Sequence, residues 1–279
     1  MIRILVNCNE LKAINSFYRA EKKKANLLFC LINCLINSDN IQILFLLQII
    51  SKNALRPLRR NLTALSLPNN LLNSIPDEIF DLPNLNRLDL SQNQIRSLNP
   101  EKLARSSSLK KLDLSDNDVI DINNVQVPVS MEKFILKNNH LNFPTISRFN
   151  LTYLKVLDLS HNKLNGTLSK NSFQFSNTLR SLDLSFNSLK KLTDKCFTNF
   201  PKLKTLNLES NEIEVITSMA FQGLQRLRRL DLSFNGILEI PLNVFNGLKG
   251  LEYLDLSSNH LQVNYSILLR NAARPIRPS

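Results

Sequence analysis

A leucine-spaced pattern, LxxLxLxxNxL, recurs nine times in this chain and limits the folds open to it more than any other feature. Counted from its first leucine, positions 4 and 6 are two residues apart and therefore share one face of a strand, as Leu230 and Leu232 do in "LRRLDLSFNGI" (227–237). No single repeat can bury these leucines, so the pattern predicts a stacked solenoid. The asparagine at position 9 recurs every 22 to 25 residues, at Asn70, Asn93, Asn117, Asn139, Asn162, Asn187, Asn211, Asn235 and Asn259.

Each asparagine has a predicted structural role, because its amide can satisfy backbone groups where the chain leaves the strand. Neighbouring repeats would then form an asparagine ladder, and loss of one amide would cost about 1 to 3 kcal/mol. Cys196 stands where other repeats carry Ile79, Ala220 or Val244, which predicts a small buried filler rather than a reactive thiol. A later phenylalanine also belongs to the predicted core, at Phe80, Phe197, Phe221 and Phe245.

Residues 62–261 resemble the leucine-rich repeat family, most clearly in "LKKLDLSDNDV" (109–119), "LRSLDLSFNSL" (179–189) and "LEYLDLSSNHL" (251–261). The resemblance implies an α/β solenoid, a leucine-rich repeat horseshoe with a parallel β-sheet on the concave face. Irregular, 3-10 or short helical segments would form its convex face.

The length and form of the repeats bear on the class of protein. The unit "LRRLDLSFNGILEIPLNVFNGLKG" (227–250) resembles the 24-residue type of extracellular and cell-surface proteins such as Toll-like receptor and Slit-like ectodomains. That resemblance implies a non-catalytic module that recognises a protein ligand outside the cell. "NSIPDEIFDLPNLNRLDL" (73–90) is instead similar to cytoplasmic scaffolds of small-GTPase signalling. A cytoplasmic adaptor is therefore the alternative.

The composition divides the chain into four predicted segments. They are a polar, basic N-terminal extension (1–24), an apolar segment (25–60), a solenoid of nine repeats (61–261) and a basic tail (262–279) that we expect to fray. The formal charge of +12 arises at the two ends, since residues 61–261 hold 22 basic and 20 acidic side chains. A nearly neutral solenoid argues against nucleic acid as its ligand.

The apolar stretch 25–50 leaves three interpretations open. Polar residues divide it into runs shorter than the ~20 residues of a membrane-spanning helix, although a signal peptide or membrane anchor here would give membrane association. Alternatively it forms an atypical N-terminal capping repeat, with Ile41, Leu44 and Leu46 at the three leucine positions. A disordered start is the third interpretation.

Motifs of catalysis and cofactor binding are missing from the sequence. No glycine-rich phosphate loop or hydrolase signature occurs, and His140, His161 and His260 lie in different repeats at unmatched positions. Four scattered cysteines show no metal-ligand spacing and leave the redox compartment open. We therefore predict neither an enzyme nor a bound cofactor or metal.

The solvent-facing strand positions predict where a partner binds. They hold ten basic and ten acidic side chains, and an aspartate column at position 5 beside Lys and Arg at positions 2 and 3 should pair across strands. The column fails at Ile135, next to Val156, which predicts an exposed apolar pair. We expect a protein partner around Ile135, Val156, His161 and Phe186, with Phe234 and Tyr253 as further aromatic anchors.

Four N-x-[ST] sites are candidates for glycosylation: Asn61, Asn150, Asn165 and Asn264. A similar number is expected by chance in a chain so rich in asparagine, so they do not decide between a secreted and a cytoplasmic protein.

Overall fold

The computed structural model describes residues 2–4, 40–43, 55–122 and 125–262. The chain forms two compact lobes. The first lobe comprises Met1–Asp118 with Val125–Met131, and the second comprises Val119–Asn124 with Glu132–Ser279. The first lobe holds the strands of repeats 1 to 3 and the second those of repeats 4 to 9.

The first lobe contains a parallel sheet with one strand per repeat. Each repeat strand places its position-4 leucine in register with the next, as Leu65 pairs with Leu88 and Leu88 with Leu112. A 3-10 turn at Arg56–Leu58 precedes the repeats, and helices α1 (Asp77–Phe80) and α2 (Pro100–Arg105) follow two of the strands. The strands, in their order in the sheet, are β1 (Ile2–Ile4), β2 (Asn40–Ile43), β3 (Ala64–Ser66), β4 (Arg87–Asp89) and β5 (Lys111–Asp113).

The second lobe contains two parallel sheets and helix α3 (Phe143–Ile146). Its strands are β6 (Lys133–Ile135), β7 (Val156–Asp158), β8 (Asn165–Leu168), β9 (Ser181–Asp183), β10 (Ser188–Leu192), β11 (Thr205–Asn207), β12 (Val215–Ile216), β13 (Arg229–Asp231) and β14 (Tyr253–Asp255). The repeat strands pair in the order β6, β7, β9, β11, β13, β14. Strands β8, β10 and β12 form a second small sheet, where the sequence predicted irregular or short helical segments.

The core confirms the predicted fold class, a leucine-rich repeat solenoid of parallel strands. The leucines at positions 4 and 6 of repeat 8, Leu230 and Leu232, are fully buried, and the same holds through the other repeats of both lobes with few exceptions. Phe197, Phe221 and Phe245 stack on one another, with ring centroids 6.0 and 5.9 Å apart. Cys196 is 1% exposed beside them, which confirms it as a buried filler.

The segment before repeat 1 aligns with the repeats differently from the prediction. Strand β2 pairs with β3, and Ile41 lies in register with Leu65, the position-4 leucine of repeat 1. Ile41 therefore takes position 4 and not position 1, so the predicted alignment is wrong by three residues. Leu44, Leu46 and most of the stretch 25–50 lie outside the described residues, as does 263–279. Within the part of the chain that the structure describes, no helix is both long and apolar enough to span a membrane.

Candidate protein-interaction surface

The asparagine ladder sets the geometry with which each strand ends. Asn235 accepts a hydrogen bond from the backbone N–H of Ile213 in the preceding repeat, at 3.0 Å. Its side-chain N–H groups donate to the carbonyls of Leu208 and Leu232 at 3.0 and 3.1 Å. Within each lobe the same backbone N–H to asparagine bond recurs, at Asn93, Asn117, Asn139, Asn162, Asn187, Asn211 and Asn259.

The residue just before each asparagine, position 8, has a left-handed backbone in all nine repeats. The φ angles lie between 52° and 56°. Asparagine, aspartate and histidine tolerate this conformation, whereas a bulky side chain there is an outlier. Phe186 and Phe234 nevertheless occupy it, both with φ 53°, and are 43% and 58% exposed. The turn thus holds two phenylalanines in solvent at the ends of β9 and β13.

The aspartates at position 5 are bound to their own turns. In Asp183, Oδ1 accepts both the backbone N–H and the hydroxyl of Ser185, at 2.9 and 2.6 Å. The same two bonds recur at every position-5 aspartate, namely Asp89, Asp113, Asp158, Asp231 and Asp255. The D-L-S triplet that repeats along the sequence was the available signal for this turn.

The ion pairs of this surface differ from the predicted cross-strand pairing between aspartates and Lys or Arg. Lys155 pairs across strands with Glu132 at 2.6 Å, and Arg228 approaches Glu252 at 3.8 Å. Both pairs join residues at position 2. The Asp231 carboxylate lies 3.9 Å from the guanidinium of Arg229 on its own strand. Lys111 pairs in the same way with Asp113, at 3.2 Å. In these cases the aspartate pairs through Oδ2 along its own strand, so the predicted cross-strand pairing is wrong.

Ile135 is buried, and the expectation that it is exposed is wrong. Its side chain is 8% exposed, close to the 9% of Asp231 at the same position of repeat 8. Position 5 lies between side chains of adjacent strands only ~4.8 Å away, here Asp158 in register on β7, so even an outward-facing residue is largely covered. Val156, the first residue of β7, is half-buried.

The structure brings two of the remaining predicted contact residues, His161 and Phe186, into contact. The ring of His161 stacks on that of Phe186, with centroids 4.1 Å apart and planes 7° from parallel. Tyr253 carries the Arg229 guanidinium 3.9 Å above its ring and donates its hydroxyl hydrogen to Asp255 at 2.8 Å. This hydrogen bond, with burial, raises the pKa of Tyr253. Phe234 lies on β13's turn, two strands from Phe186.

Repeat 7 departs from the D-L-S triplet and places its carboxylate elsewhere. Asn207 stands at position 5 and Glu209 at position 7. The amide oxygen of Asn207 accepts the backbone N–H of Glu209 at 3.0 Å, which replaces the aspartate turn, and its N–H donates to Asp183. The Glu209 carboxylate stands where other repeats carry the serine hydroxyl, and it takes no part in the turn. Sequence reasoning passed over this residue, although the change from D-L-S to N-L-E was visible.

The surroundings of Glu209 are acidic. Partial burial raises the pKa of its carboxyl, and the carboxylates of Asp231, Asp183 and Asp255 raise it further, while His161 acts in the opposite direction. Glu209 and the aspartates of repeats 6, 8 and 9 thus concentrate negative charge beside the exposed phenylalanines.

Glu209→Gln should stabilise the protein at neutral pH. A carboxyl whose pKa is raised by folding favours the folded state below its ordinary value of 4.5, and this contribution is lost as the pH rises through the raised pKa. We expect the variant to gain about 0.2 to 0.5 kcal/mol at pH 7 in low salt, after screening. The gain should vanish below pH 4.5. Urea unfolding at both pH values measures it, and an equal gain at acidic pH would contradict the electrostatic explanation.

Two further histidines and a cysteine carry groups that metal and catalytic sites use. His140 and His260 are exposed in separate repeats. Across the described ranges, no group of three or more His, Cys, Asp or Glu side chains could hold a metal ion. Burial strongly raises the pKa of the Cys196 thiol, which also donates weakly to the Ala220 carbonyl at 3.5 Å.

Two models of known protein families match the chain. A leucine-rich repeat model matches residues 60–119, 177–237 and 225–266, and a second one matches residues 153–175. These matches cover more than half of the chain. The protein belongs to the leucine-rich repeat family, whose fold serves protein interaction.

The chain is also similar to individual proteins and solved structures. The chain is 33% identical over 114 residues to Ras guanine nucleotide exchange factor V of Dictyostelium discoideum, a match that covers 40% of this chain and 5% of that protein. It resembles the structure of a TLR13–ssRNA13 complex (28% identity, TM-score 0.64, 81% of this chain and 37% of that one). It also resembles the plant peptide hormone receptor RGFR1 in complex with RGF2 (26%, TM-score 0.58, 80% and 40%). The chain thus spans two fifths or less of these proteins.

Proposed function

We propose that this chain is a non-catalytic recognition module that binds a protein partner on the sheet face of its second lobe. The sheet face is the solvent-facing side of β6, β7, β9, β11, β13 and β14, with the turns that follow them. Two exposed phenylalanines, Phe186 and Phe234, carry the proposal, because both hold a left-handed backbone that is costly for a bulky residue. Exposed aromatic side chains are enriched at the centres of protein interfaces.

The other proposed contact residues lie on the same face. Val156 and Tyr253 are half-buried at the starts of β7 and β14, and His161 supports the Phe186 ring. Ile135 adds a small apolar area at most, since 8% of it is exposed. A nucleic-acid partner fits this face less well, because its phosphates would meet a row of carboxylates.

Partner capture with matched variants tests the proposal. The double variant Phe186→Asn/Phe234→Asn removes both rings, and asparagine already stands at position 8 in repeats 1 and 4, as Asn69 and Asn138. We expect the variant to fold and to lose at least tenfold in affinity for partners captured from native cells. Phe175→Asn is the control, since Phe175 is 58% exposed and lies outside the repeat strands and the turns that follow them. Unchanged capture by the folded double variant would remove this surface as the binding site.

We further propose that the module acts outside the cell or at the cell surface. The likeness to the structure of the plant peptide hormone receptor RGFR1 with RGF2, at 26% identity, supports this location. A cytoplasmic adaptor in signalling is the second candidate, and the 33% identity to a Ras guanine nucleotide exchange factor favours it.

Glycosylation of the full-length protein separates the two locations. Asn61, Asn150 and Asn165 are exposed in the structure, so their N-x-[ST] sites are accessible, whereas Asn264 lies outside the described residues. An extracellular protein should shift in mass on enzymatic deglycosylation, and the shift should shrink in the variants Asn150→Gln and Asn165→Gln. A full-length protein that stays in the cytosol without glycans would favour the adaptor.

A further inference from the structure

The stack of His161 on Phe186 fixes the direction of an open aromatic surface. The two residues end neighbouring strands, β7 and β9, and their rings are 4.1 Å apart and nearly parallel. The line that joins the two ring centres runs from one strand to the next, and both ring planes stand roughly perpendicular to it. Since His161 covers one face of Phe186, the other face is turned toward repeat 7, where position 8 is the small Ser210.

Phe234 stands at position 8 of the repeat on the other side of Ser210. Phe186 and Phe234 stand at position 8 on either side of Ser210, and backbone hydrogen bonds join the turns. The N–H of Phe186 donates to the backbone carbonyl of Glu209, and the N–H of Ser210 donates to that of Ser233. At ~4.8 Å per strand, the Cα atoms of the two phenylalanines are about 10 Å apart. This spacing leaves room for one planar group between the two rings, and Glu209 directly precedes Ser210 in the chain.

The charges near this space are mainly negative, although His161 acts on Glu209 in the opposite direction. Asp183, Asp231 and Asp255 lie on adjacent strands in register with Asn207 or with one another, and each is close enough to Glu209 to affect its pKa. One cation lies among these carboxylates: the Arg229 guanidinium is 3.9 Å from the carboxylate of Asp231, and it offsets one of the four negative charges. A positively charged group is therefore the complement of this part of the sheet face.

Glu209 is the carboxylate best placed to meet that group. The aspartates of repeats 6, 8 and 9 hold a serine with Oδ1, whereas Asn207 has taken over that role in repeat 7. Among the described residues, no hydrogen bond or ion pair engages the Glu209 side chain. Repeat 7 has thus exchanged a turn-forming carboxylate for one that can bind a ligand, between the two exposed phenylalanines.

We propose that the sheet face binds a protein segment through an arginine, whose guanidinium enters between Phe186 and Phe234 and pairs with Glu209. This inference rests on the proposed function and adds the chemistry of the partner. Arginine fits better than lysine because its planar guanidinium stacks on aromatic faces and binds a carboxylate through two parallel hydrogen bonds.

Peptide selection on the purified protein tests the inference without a known ligand. Random linear peptides displayed on phage are selected on the wild type and counter-selected on Phe186→Asn/Phe234→Asn. The enriched peptides are then synthesised, with each arginine also replaced by citrulline, which has nearly the same shape but no charge. Affinities are measured for the wild type, Glu209→Gln and the matched control Glu212→Gln, whose carboxylate lies 3.6 Å from Lys190 outside the sheet face.

We expect arginine-containing peptides to be enriched. Their affinity should fall about tenfold with Glu209→Gln or with citrulline, as for the loss of one charge-assisted contact, and should not change with Glu212→Gln. Peptides without a cation, or arginine peptides that bind Glu209→Gln as well as the wild type, would overturn the inference and leave the proposed function standing. No enrichment over the phenylalanine double variant would also overturn it, and the partner-capture experiment then decides the proposed function separately.

Discussion

Truncation of Phe221 to alanine should lower the free energy of unfolding by about 3 to 5 kcal/mol. The Phe221 side chain is 1% exposed and stands in the middle of a stack, 6.0 Å from the ring of Phe197 and 5.9 Å from that of Phe245. Alanine would leave a cavity that borders three consecutive repeats. Because solenoid repeats are stabilised by contacts with their neighbours, the loss weakens two interfaces at once.

Urea unfolding followed by circular dichroism measures this loss of stability, and two further variants serve as controls. Phe175→Ala removes an aromatic ring that is 58% exposed and should change the stability by less than about 0.5 kcal/mol. Phe221→Leu keeps most of the buried volume and should recover more than half of the loss. If Phe221→Ala were as mild as Phe175→Ala, the phenylalanine stack would not be a stabilising core.

The repeat frame predicts the solenoid well because it records which side chains must be buried. Leucines that recur with fixed spacing leave one consistent arrangement, and the nine repeat strands follow it. The small sheet of β8, β10 and β12 was not predictable in the same way. Segments such as "NGTL" and "SLKKL" carry no distinct pattern of their own. They pair because stacking of the repeats already holds them side by side, as in the register of Leu192 with Leu168.

The frame was less reliable for the candidate surface. It placed Phe186 and Phe234 outside the core correctly, since position 8 cannot point inward. It could not show that position 5 is covered by neighbouring strands, and for this reason Ile135 was expected in solvent and is buried. It also left the turn-forming role of Asp183 and the freed carboxylate of Glu209 unnoticed, because both depend on which atom accepts which hydrogen bond.

Replacement of Asn211 by alanine should cost about 2 to 3 kcal/mol, the second large effect that we expect. The Asn211 side chain is 8% exposed and accepts the backbone N–H of Leu189 at 3.1 Å. It also donates to the carbonyls of Leu184 and Leu208, at 3.0 and 3.1 Å. Alanine leaves the buried N–H of Leu189 without its acceptor, which costs about 1 to 3 kcal/mol. The carbonyls of Leu184 and Leu208 each lose one donor and keep another, from Asn187 and Asn235.

Position in the solenoid provides an internal control for this prediction. Asn259 in the last repeat makes the equivalent bond to Ile237 but is half-buried, so water can replace its amide and Asn259→Ala should cost less than Asn211→Ala. Hydrogen exchange gives a local readout, since the Leu189 amide should lose protection in Asn211→Ala while the Ile237 amide keeps it. Equal and small losses in both variants would mean that the ladder follows the fold without stabilising it, and the strand ends that carry Phe186, Glu209 and Phe234 would then owe their geometry to leucine packing alone.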